Sequence, residues 1–208
     1  MNKPHLVSTS AHLEDFNRIA RYKDCYKLIS NYKEFFQSIS ILETISKNKL
    51  DYLENTGFNV SYSSLENENC NKGVNWFKHL SYFLITSELK DDDIIVFITG
   101  RYNIINMNIL HLIEKHMIEQ KNQFIAKEDK DVYSDRSDGV HTFYMAFTKS
   151  KFLDLSNWFK INGLKNFSSV FEWDVKKYLV THNECLVLPK NISLGVELQL
   201  SESIKHIC

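Results

Sequence analysis

The chain has 208 residues, of which 43% are hydrophobic and 13% are aromatic, enough for one well-buried domain but small for two. Its 25 Lys and Arg residues nearly balance its 26 Asp and Glu residues, and the net charge of -1 argues against a nucleic-acid partner or an anionic membrane surface. No low-complexity linker interrupts the chain, so we expect a single domain over residues 1–208.

Strand and helix signals alternate along the first half of the chain. The strand patterns cover residues 6–9, 38–42, 58–62 and 94–98, and the helical patterns cover residues 16–29, 50–53 and 74–89. In the first helix, apolar residues recur at helical spacing, namely Phe16, Ile19, Tyr22, Tyr26 and Ile29. The uninterrupted apolar run at 94–98 is typical of a strand covered on both faces. This alternation predicts a mainly parallel sheet with right-handed crossovers.

The second half of the chain is less regular. Helical patterns cover residues 106–120, 151–162 and 170–179, and strand patterns cover residues 123–126, 141–148, a short stretch near 186, and 194–198. A highly charged loop occupies residues 127–138. We therefore predict an α/β, Rossmann-like domain whose sheet has six or more strands, ends in mixed orientation and is flanked by helices.

The cysteines and the absence of apolar segments bear on the compartment. Cys25, Cys70, Cys185 and Cys208 are far apart and form no C-x-x-C pair, which predicts reduced thiols rather than a zinc site or a disulfide framework. The sequence contains neither an apolar signal-peptide core nor a run of about 18 apolar residues. We expect a cytoplasmic protein without membrane insertion.

Polar residues stand at the carboxyl ends of the predicted parallel strands. They are Thr9-Ser10, Glu43-Thr44, Ser63-Ser64 and Gly100-Arg101. Ligands of open α/β sheets bind at this edge. Hydroxyl groups and the Glu43 carboxylate suit a base and ribose, whereas the cations of Lys72 and Arg101 suit a diphosphate. Two alternatives stay open: the hydroxyls only cap helices, and Glu43 is a solvated loop carboxylate.

The order of four short motifs resembles a known family. The motifs are Thr9-Ser10, Glu43-Thr44, Asn71-Lys72-Gly73 before a helix, and Ile98-Thr99-Gly100-Arg101-Tyr102 at a strand end. They resemble glycosyltransferases of the GT-A type that build viral and bacterial surface glycans, most of all the chlorella-virus enzymes that glycosylate the major capsid protein. The resemblance covers essentially the whole chain. It implies a nucleotide-binding half at about 1–105, an acceptor half at about 106–208, and possible excision from a longer multidomain chain.

The same resemblance implies an activity and a cofactor. It implies transfer of a glucose- or rhamnose-type sugar from a UDP-sugar to a glycan or glycoprotein acceptor, with retention of configuration and with Mn²⁺ or Mg²⁺. A viral member would act in the host cytoplasm, on the glycans of the capsid protein.

One motif departs from the family pattern. GT-A enzymes usually carry Asp-x-Asp at the end of the fourth strand, where this chain has Thr99-Gly100-Arg101. Either Arg101 neutralises the diphosphate, or carboxylates of the charged loop help to hold the metal, the candidates being Asp131, Asp135 and Asp138. A mobile surface lid is the alternative interpretation of that loop. The acidic triplet at 91–93 lies at the opposite end of the strand and is interpreted as a solvated turn.

A second set of candidates lies near the reacting centre. Glu172 and Asp174 open a predicted helix, and Glu172 would either stabilise an oxocarbenium-like transition state or deprotonate the acceptor. Trp173 offers a flat face to a sugar ring, and His141 is a further candidate acceptor contact. Alternatively, both carboxylates only complement the helix dipole, and Trp173 belongs to the core.

Two other functions remain open from the sequence. The missing Asp-x-Asp is compatible with a module that binds a nucleotide or glycan without turnover. A nucleotidyltransferase is also compatible, because a fold by itself does not fix the chemistry.

Overall fold

A computed structural model describes residues 3–67, 72–100, 102–128, 139–162, 171–199 and 205–207, and gives only the backbone of residues 72, 197–199 and 205–207. The strands are β1 (His5–Ser10), β2 (Ser38–Glu43), β3 (Asn59–Tyr62), β4 (Ile94–Thr99), β5 (Tyr102–Ile104), β6 (Phe124–Lys127), β7 (Tyr144–Thr148), β8 (Cys185–Leu188), β9 (Val196–Gln199) and β10 (Lys205–Ile207). The α-helices are α1 (Phe16–Ser30), α2 (Asp51–Glu54), α3 (Lys72–Thr86), α4 (Asn108–Leu112), α5 (Lys149–Asn162) and α6 (Phe171–Val180).

The main sheet has seven strands in the order β3-β2-β1-β4-β7-β6-β8. β1 runs parallel to β2 and β4, β2 is parallel to β3, and β6 is parallel to β8, whereas β7 is antiparallel to both of its neighbours. The predicted mixed α/β sheet is therefore confirmed. The register places Thr9 beside Thr99 and Ser10 beside Glu43, so the carboxyl ends of β1, β2 and β4 meet at one edge.

Helices cover both faces of this sheet because successive strand residues point to opposite sides. Leu6 of β1 packs in a cluster with Tyr26 of α1 and with residues of α4, whereas Val7 packs on the other face with α3, α5 and α6. The second cluster is strongly aromatic: the ring of Phe77 lies 4.9 Å from that of Phe152 and 5.3 Å from that of Phe171. The two cores hold the strand ends in fixed positions.

A second, three-stranded antiparallel sheet has the order β10-β9-β5. The sequence predicts a strand near β9 but not its partner β5. Gly195 precedes β9 with a φ of 81°, and a Cβ there would lie 2.1 Å from Asn106 Oδ1. This turn therefore requires glycine for both its backbone conformation and its space.

One local prediction is wrong, and two predicted elements are present with a different helix type or a different starting residue. Phe16 is 85% exposed, because the buried positions of α1 begin only at Tyr22. The helix predicted at 106–120 is α-helical only over α4 and continues as a π-helix over Ile113–Glu119. The strand predicted from His141 begins at Tyr144, although His141 N already donates to Lys127 O of β6.

The acidic turn before β4 matches its interpretation. Asp91 and Asp92 are exposed, and Asp93 accepts a hydrogen bond from Lys90 N at 2.8 Å and lies 3.6 Å from His5 Nε2. Among the described residues, the structure contains no helix with the length and apolar character needed to span a bilayer.

Candidate functional site

A pocket of about 310 Å³ opens at the carboxyl edge of β1 and β4. Its described lining consists of Thr9, Ser10, Ala11, Leu13, Arg18, Tyr22, Thr44, Ile45, Asn67, Asn75, Trp76, Thr99 and Gly100. Three of the residues predicted to bind the nucleotide, Thr9, Ser10 and Gly100, are thus brought together. The polar groups of this described lining are hydroxyls, two amides, the indole N–H and a guanidinium, and it contains no carboxylate. Such a lining suits an anionic, hydrogen-bonding ligand.

Gly100, directly after β4, forms the floor of the pocket beside the end of β1. Its N–H donates to Thr9 O at 2.8 Å. A Cβ at this position would lie 2.5 Å from Thr9 O, 2.7 Å from Tyr26 Oη and 2.8 Å from Tyr22 Cε1. No side chain fits there without displacing the backbone of β1, so the floor requires glycine.

Arg18 is a pocket cation that the sequence reasoning missed. It lies in the first turn of α1, where the Asp15 cap accepts from Arg18 N at 3.3 Å. Its guanidinium carbon lies 5.8 Å from the centre of the Tyr22 ring, and Nη2 lies 3.5 Å from Tyr22 Oη. Within the described residues, the buried Arg18 Nε and the buried Thr99 Oγ1 have no hydrogen-bond partner. Because buried polar groups are normally satisfied, and because Arg18 and Thr99 both line the pocket, these two atoms are candidate contacts for a polar ligand.

Glu43 supports the pocket from behind. Its side chain is 0% exposed, so the solvated-loop alternative is wrong. Oε1 accepts from the backbone N–H groups of His12 at 3.0 Å, Ile45 at 2.8 Å and Ser46 at 3.0 Å, and Oε2 lies 3.2 Å from His12 N. The carboxylate therefore ties the loop after β1 to the loop after β2, and it is not part of the described lining.

Asn67 and His79 form a hydrogen-bonded chain at one wall of the pocket. Asn67 Nδ2 donates to Thr44 O at 2.9 Å, and Asn67 Oδ1 lies 3.1 Å from His79 Nε2. His79 Nδ1 in turn lies 2.6 Å from Ser63 Oγ. His79 is 1% exposed, and this burial, with a contribution from Lys47, lowers its pKa to about 4. The imidazole is therefore neutral at physiological pH.

Trp76 supplies the flat apolar wall. Its ring stacks on Phe97 of β4 at 4.7 Å and meets Phe171 of α6 edge-on at 5.6 Å. The indole is half-buried, as expected for a sheet-facing position of α3 that also borders the pocket. Leu13 and Ile45, which are 45% and 39% exposed, extend the apolar surface to the mouth.

The predicted catalytic residues lie beside the pocket rather than in its described lining. Glu172 Oε1 accepts from Thr142 Oγ1 at 3.4 Å, at the same edge of the sheet. A Cβ on Gly139 would lie 3.2 Å from Trp173 Cδ1, so Trp173 packs closely against the chain that leads into β7. Asp174 forms an ion pair with Lys177 at 3.1 Å, one helical turn along α6. This pairing favours the structural alternative for Asp174.

His141 is buried within an aromatic stack. Its ring meets Phe143 at 4.4 Å, and Phe143 stacks in parallel on Tyr102 at 4.1 Å. Burial, together with the charge of Lys127, lowers the pKa of His141 to about 4. With 9% exposure, this neutral imidazole offers little surface to an acceptor in the described arrangement.

Comparisons with known proteins bear on the fold. No protein-family model matches the chain, and no curated protein matches its sequence. The 4-diphosphocytidyl-2C-methyl-D-erythritol synthase of Anaerococcus prevotii DSM 20548 is similar in structure, with a TM-score of 0.55 and 14% identity over 90% of this chain and 88% of that one. A glycosyltransferase involved in the glycosylation of the major capsid of PBCV-1 gives 0.50 and 10% over 89% and 81%. The apo form of a glycosyltransferase from Streptococcus pneumoniae TIGR4 gives 0.52 and 10% over 90% and 45%.

The chain has a GT-A-like fold. This finding confirms the predicted α/β, Rossmann-like architecture, with the pocket at the edge where such sheets bind ligands. Identities of 10% to 14% establish the fold alone, so the similarity does not single out the viral capsid enzyme.

Several predicted residues of the GT-A site fall outside the described part of the chain. These are Arg101, Asp131, Asp135 and Asp138, and the side chain of Lys72, whose backbone begins α3. Within the described residues, no group of three or more His, Cys, Asp or Glu side chains is placed to hold a metal ion. The described residues alone therefore do not form the metal site that the family resemblance implies.

The two buried neutral histidines predict acid sensitivity. The pKa of His79 and of His141 falls from 6.5 to about 4 on folding, so the unfolded chain binds protons more readily than the folded one between these pH values. Their contribution to stability is complete above about pH 6.5 and is lost as the pH falls toward about 4, by roughly 1–3 kcal/mol for each histidine.

We therefore expect the free energy of unfolding, measured with urea at pH 7.5, 6 and 4.5, to fall less steeply in His79→Gln and His141→Gln than in the parent. The exposed His111 of α4 provides the control substitution, His111→Gln. Equal slopes in all four proteins would contradict this assignment.

Proposed function

We propose that the protein is a glycosyltransferase that takes a UDP-sugar donor in the pocket at the edge of β1 and β4. The observation that carries the proposal is the composition of the pocket. Its described lining combines the guanidinium of Arg18 with the glycine floor at Gly100. Within the described residues, Arg18 Nε and Thr99 Oγ1 have no hydrogen-bond partner. Two of the structural neighbours are glycosyltransferases, which supports this function.

In this proposal each part of the donor meets a matching group. The base stacks on the Trp76 wall with its edge toward Asn67, the ribose hydroxyls meet Thr9 and Ser10, and the diphosphate meets the guanidinium of Arg18. The guanidinium of Arg18 is planar and can donate two parallel hydrogen bonds to phosphate oxygens. Arg101 and Lys72 remain proposed further contacts to the diphosphate.

The reacting sugar would lie toward the start of α6. There Glu172 would stabilise developing positive charge at the anomeric carbon or, with inversion, accept the proton of the acceptor hydroxyl. Trp173 and His141 remain proposed acceptor contacts. A divalent cation such as Mn²⁺ would supply charge neutralisation on the diphosphate when bound, with Asp131, Asp135 and Asp138 as its proposed ligands. We extend the proposal to a glycan or glycoprotein acceptor, a viral capsid glycan being the candidate from the resemblance.

A nucleotidyltransferase is the second candidate function. The structure with a TM-score of 0.55 is a 4-diphosphocytidyl-2C-methyl-D-erythritol synthase, and it covers 90% of this chain. An enzyme of that kind would bind a nucleoside triphosphate in preference to a nucleotide sugar.

Thermal stability against a panel of nucleotides tests the proposal, because a ligand that binds only the folded state raises the melting midpoint. We expect UDP to raise the midpoint more than GDP, CMP, ATP or CTP, each measured with and without Mn²⁺. UDP-glucose and UDP-rhamnose should then release UDP in the presence of a glycan acceptor. A larger shift with CTP or ATP would favour the nucleotidyltransferase, and the absence of a shift with every nucleotide would contradict both functions.

Arg18→Ala should weaken UDP binding by roughly 10- to 100-fold, since a hydrogen bond to a charged group contributes about 1.5–3 kcal/mol. Arg21→Ala is the matched control, because Arg21 lies on the same helix and its Nε contacts Asn17 O at 3.4 Å, outside the described pocket lining. Isothermal titration calorimetry of UDP gives the comparison, with Arg18→Lys expected to be intermediate. Equal affinities in the Arg18→Ala and Arg21→Ala variants would remove Arg18 from the diphosphate site.

A further inference from the structure

The hydrogen-bonded chain from Thr44 to Ser63 has only one consistent arrangement of protons. Thr44 O is a backbone carbonyl and can only accept, so the group facing it at 2.9 Å must be the NH₂ of Asn67. Asn67 Oδ1 then faces His79 Nε2 at 3.1 Å, and Nε2 must carry the proton. His79 Nδ1 therefore accepts from the Ser63 hydroxyl at 2.6 Å. The orientation of the Asn67 amide is thus determined from both sides.

This arrangement is stable because its central ring is buried and uncharged. His79 is 1% exposed, and desolvation keeps its pKa near 4, so its protonation does not change between pH 5 and 8. Ser63 is also buried, at 4% exposure. Asn67 itself is exposed and lines the pocket, which leaves one N–H and one lone pair of Oδ1 available to a ligand.

We propose that the fixed amide of Asn67 reads the pyrimidine edge and makes the pocket selective for uracil over cytosine, with His79 as the positioning residue. The inference rests on the proposed function, in which the pocket takes a uridine diphosphate donor. Uracil presents an acceptor at position 4 and a donor at position 3, whereas cytosine presents a donor and an acceptor in the reverse order. A freely turning amide serves either base by rotating through 180°, but a fixed amide serves only one.

Two substitutions of His79 distinguish a role in orienting the Asn67 amide from a purely structural role. Glutamine places an amide nitrogen near the position of Nε2 and keeps the donor to Asn67, but it loses the contact with Ser63. Asparagine reaches only the position of Nδ1, so it keeps a contact near Ser63 and loses the donor to Asn67. A purely structural role would make the two variants equivalent, whereas positioning makes them differ in base selectivity.

Titration calorimetry of UDP and CDP measures the selectivity. We expect the parent to bind UDP at least about tenfold more tightly than CDP, the effect of one mismatched hydrogen bond of about 1.4 kcal/mol. His79→Gln should keep that ratio within about twofold, whereas His79→Asn should reduce it at least threefold, chiefly because CDP binds more tightly. Asn67→Ala provides a second variant at an exposed position, and its UDP to CDP ratio should approach one.

The outcomes distinguish this inference from the function on which it rests. A parent protein that binds neither diphosphate would overturn the proposed function. A parent that binds both equally, or His79 variants that alter the ratio to the same extent, would leave the donor pocket in place and overturn the role of the fixed amide. An unchanged ratio in Asn67→Ala would overturn it as well.

Discussion

Glu43→Ala is expected to lower the free energy of unfolding by about 3 kcal/mol, because it leaves three part-buried backbone donors without their acceptor. The carboxylate receives hydrogen bonds from three N–H groups, one in the loop after β1 and two in the loop after β2. An unsatisfied donor costs about 1–3 kcal/mol when it is fully buried, so these three part-buried donors lie near the lower end of that range. Urea denaturation followed by circular dichroism measures the loss.

A graded series distinguishes this role from simple loss of charge. Glu43→Gln retains a carbonyl oxygen in the place of Oε1 and puts an NH₂ group near His12 N only, at the 3.2 Å contact, so about 1–2 kcal/mol should be lost. Glu43→Asp keeps the charge but is too short to reach the same amides, and it should resemble alanine. The exposed Glu54, which accepts from Tyr62 Oη at 2.8 Å, provides the control Glu54→Gln, with an expected change below about 0.5 kcal/mol.

Binding should follow stability in this series. Ala11 and Ile45 border the pocket and lie next to the amides that Glu43 holds, so loosening the two loops also loosens the pocket walls. If Glu43→Asp proved as stable as the parent while UDP binding was lost, a direct contact with the nucleoside would be the better assignment.

The sequence predicted the correct edge of the sheet for the pocket, but not which of the strand-end side chains line it. Strand patterns place Thr9, Ser10, Glu43 and Gly100 at carboxyl strand ends, and the register confirms that these ends meet. Whether a strand-end side chain points into the pocket or behind it depends on the path of the next loop, which no local pattern specifies. Glu43 turned inward because two loops present their amides to it.

Arg18 is the reverse case, because it lines the pocket but was not predicted from the sequence. In the sequence it is one cation among several on an amphipathic helix, and nothing marks it apart from Arg21 or Lys23. Its position becomes distinctive only when α1 packs on the sheet and Tyr22, one turn along, holds the guanidinium at the pocket. The pairing of β5 with β9 was missed for a similar reason, since it joins segments more than 90 residues apart.

Gly100→Ala is expected to lower the free energy of unfolding by about 3 kcal/mol or more. Overpacking usually costs about 1–3 kcal/mol, because neighbours can move. Here the nearest atom is the backbone oxygen of Thr9, 2.5 Å from the added carbon, and it belongs to a central strand paired on both sides. The end of β4 must separate from β1, which also breaks the 2.8 Å hydrogen bond from Gly100 N to Thr9 O.

Gly57→Ala is the matched control, because it isolates backbone strain from lack of space. Gly57 has a φ of 73° but no atom within 4 Å of the position of a Cβ, so alanine there should cost about 1 kcal/mol. Thermal and urea denaturation of both variants, together with UDP titration, should show a loss of pocket binding only for Gly100→Ala.

A second substitution identifies the decisive contact. Tyr26→Phe removes the hydroxyl that would lie 2.7 Å from the added methyl group, while the backbone oxygen of Thr9 remains. The double variant Gly100→Ala with Tyr26→Phe should therefore recover less than half of the lost stability. Full recovery would show that the tyrosine, and not the close approach of β1 and β4, sets the requirement for glycine at the pocket floor. Because the same approach shapes the floor on which the diphosphate is proposed to lie, nucleotide affinity should recover no further than stability does.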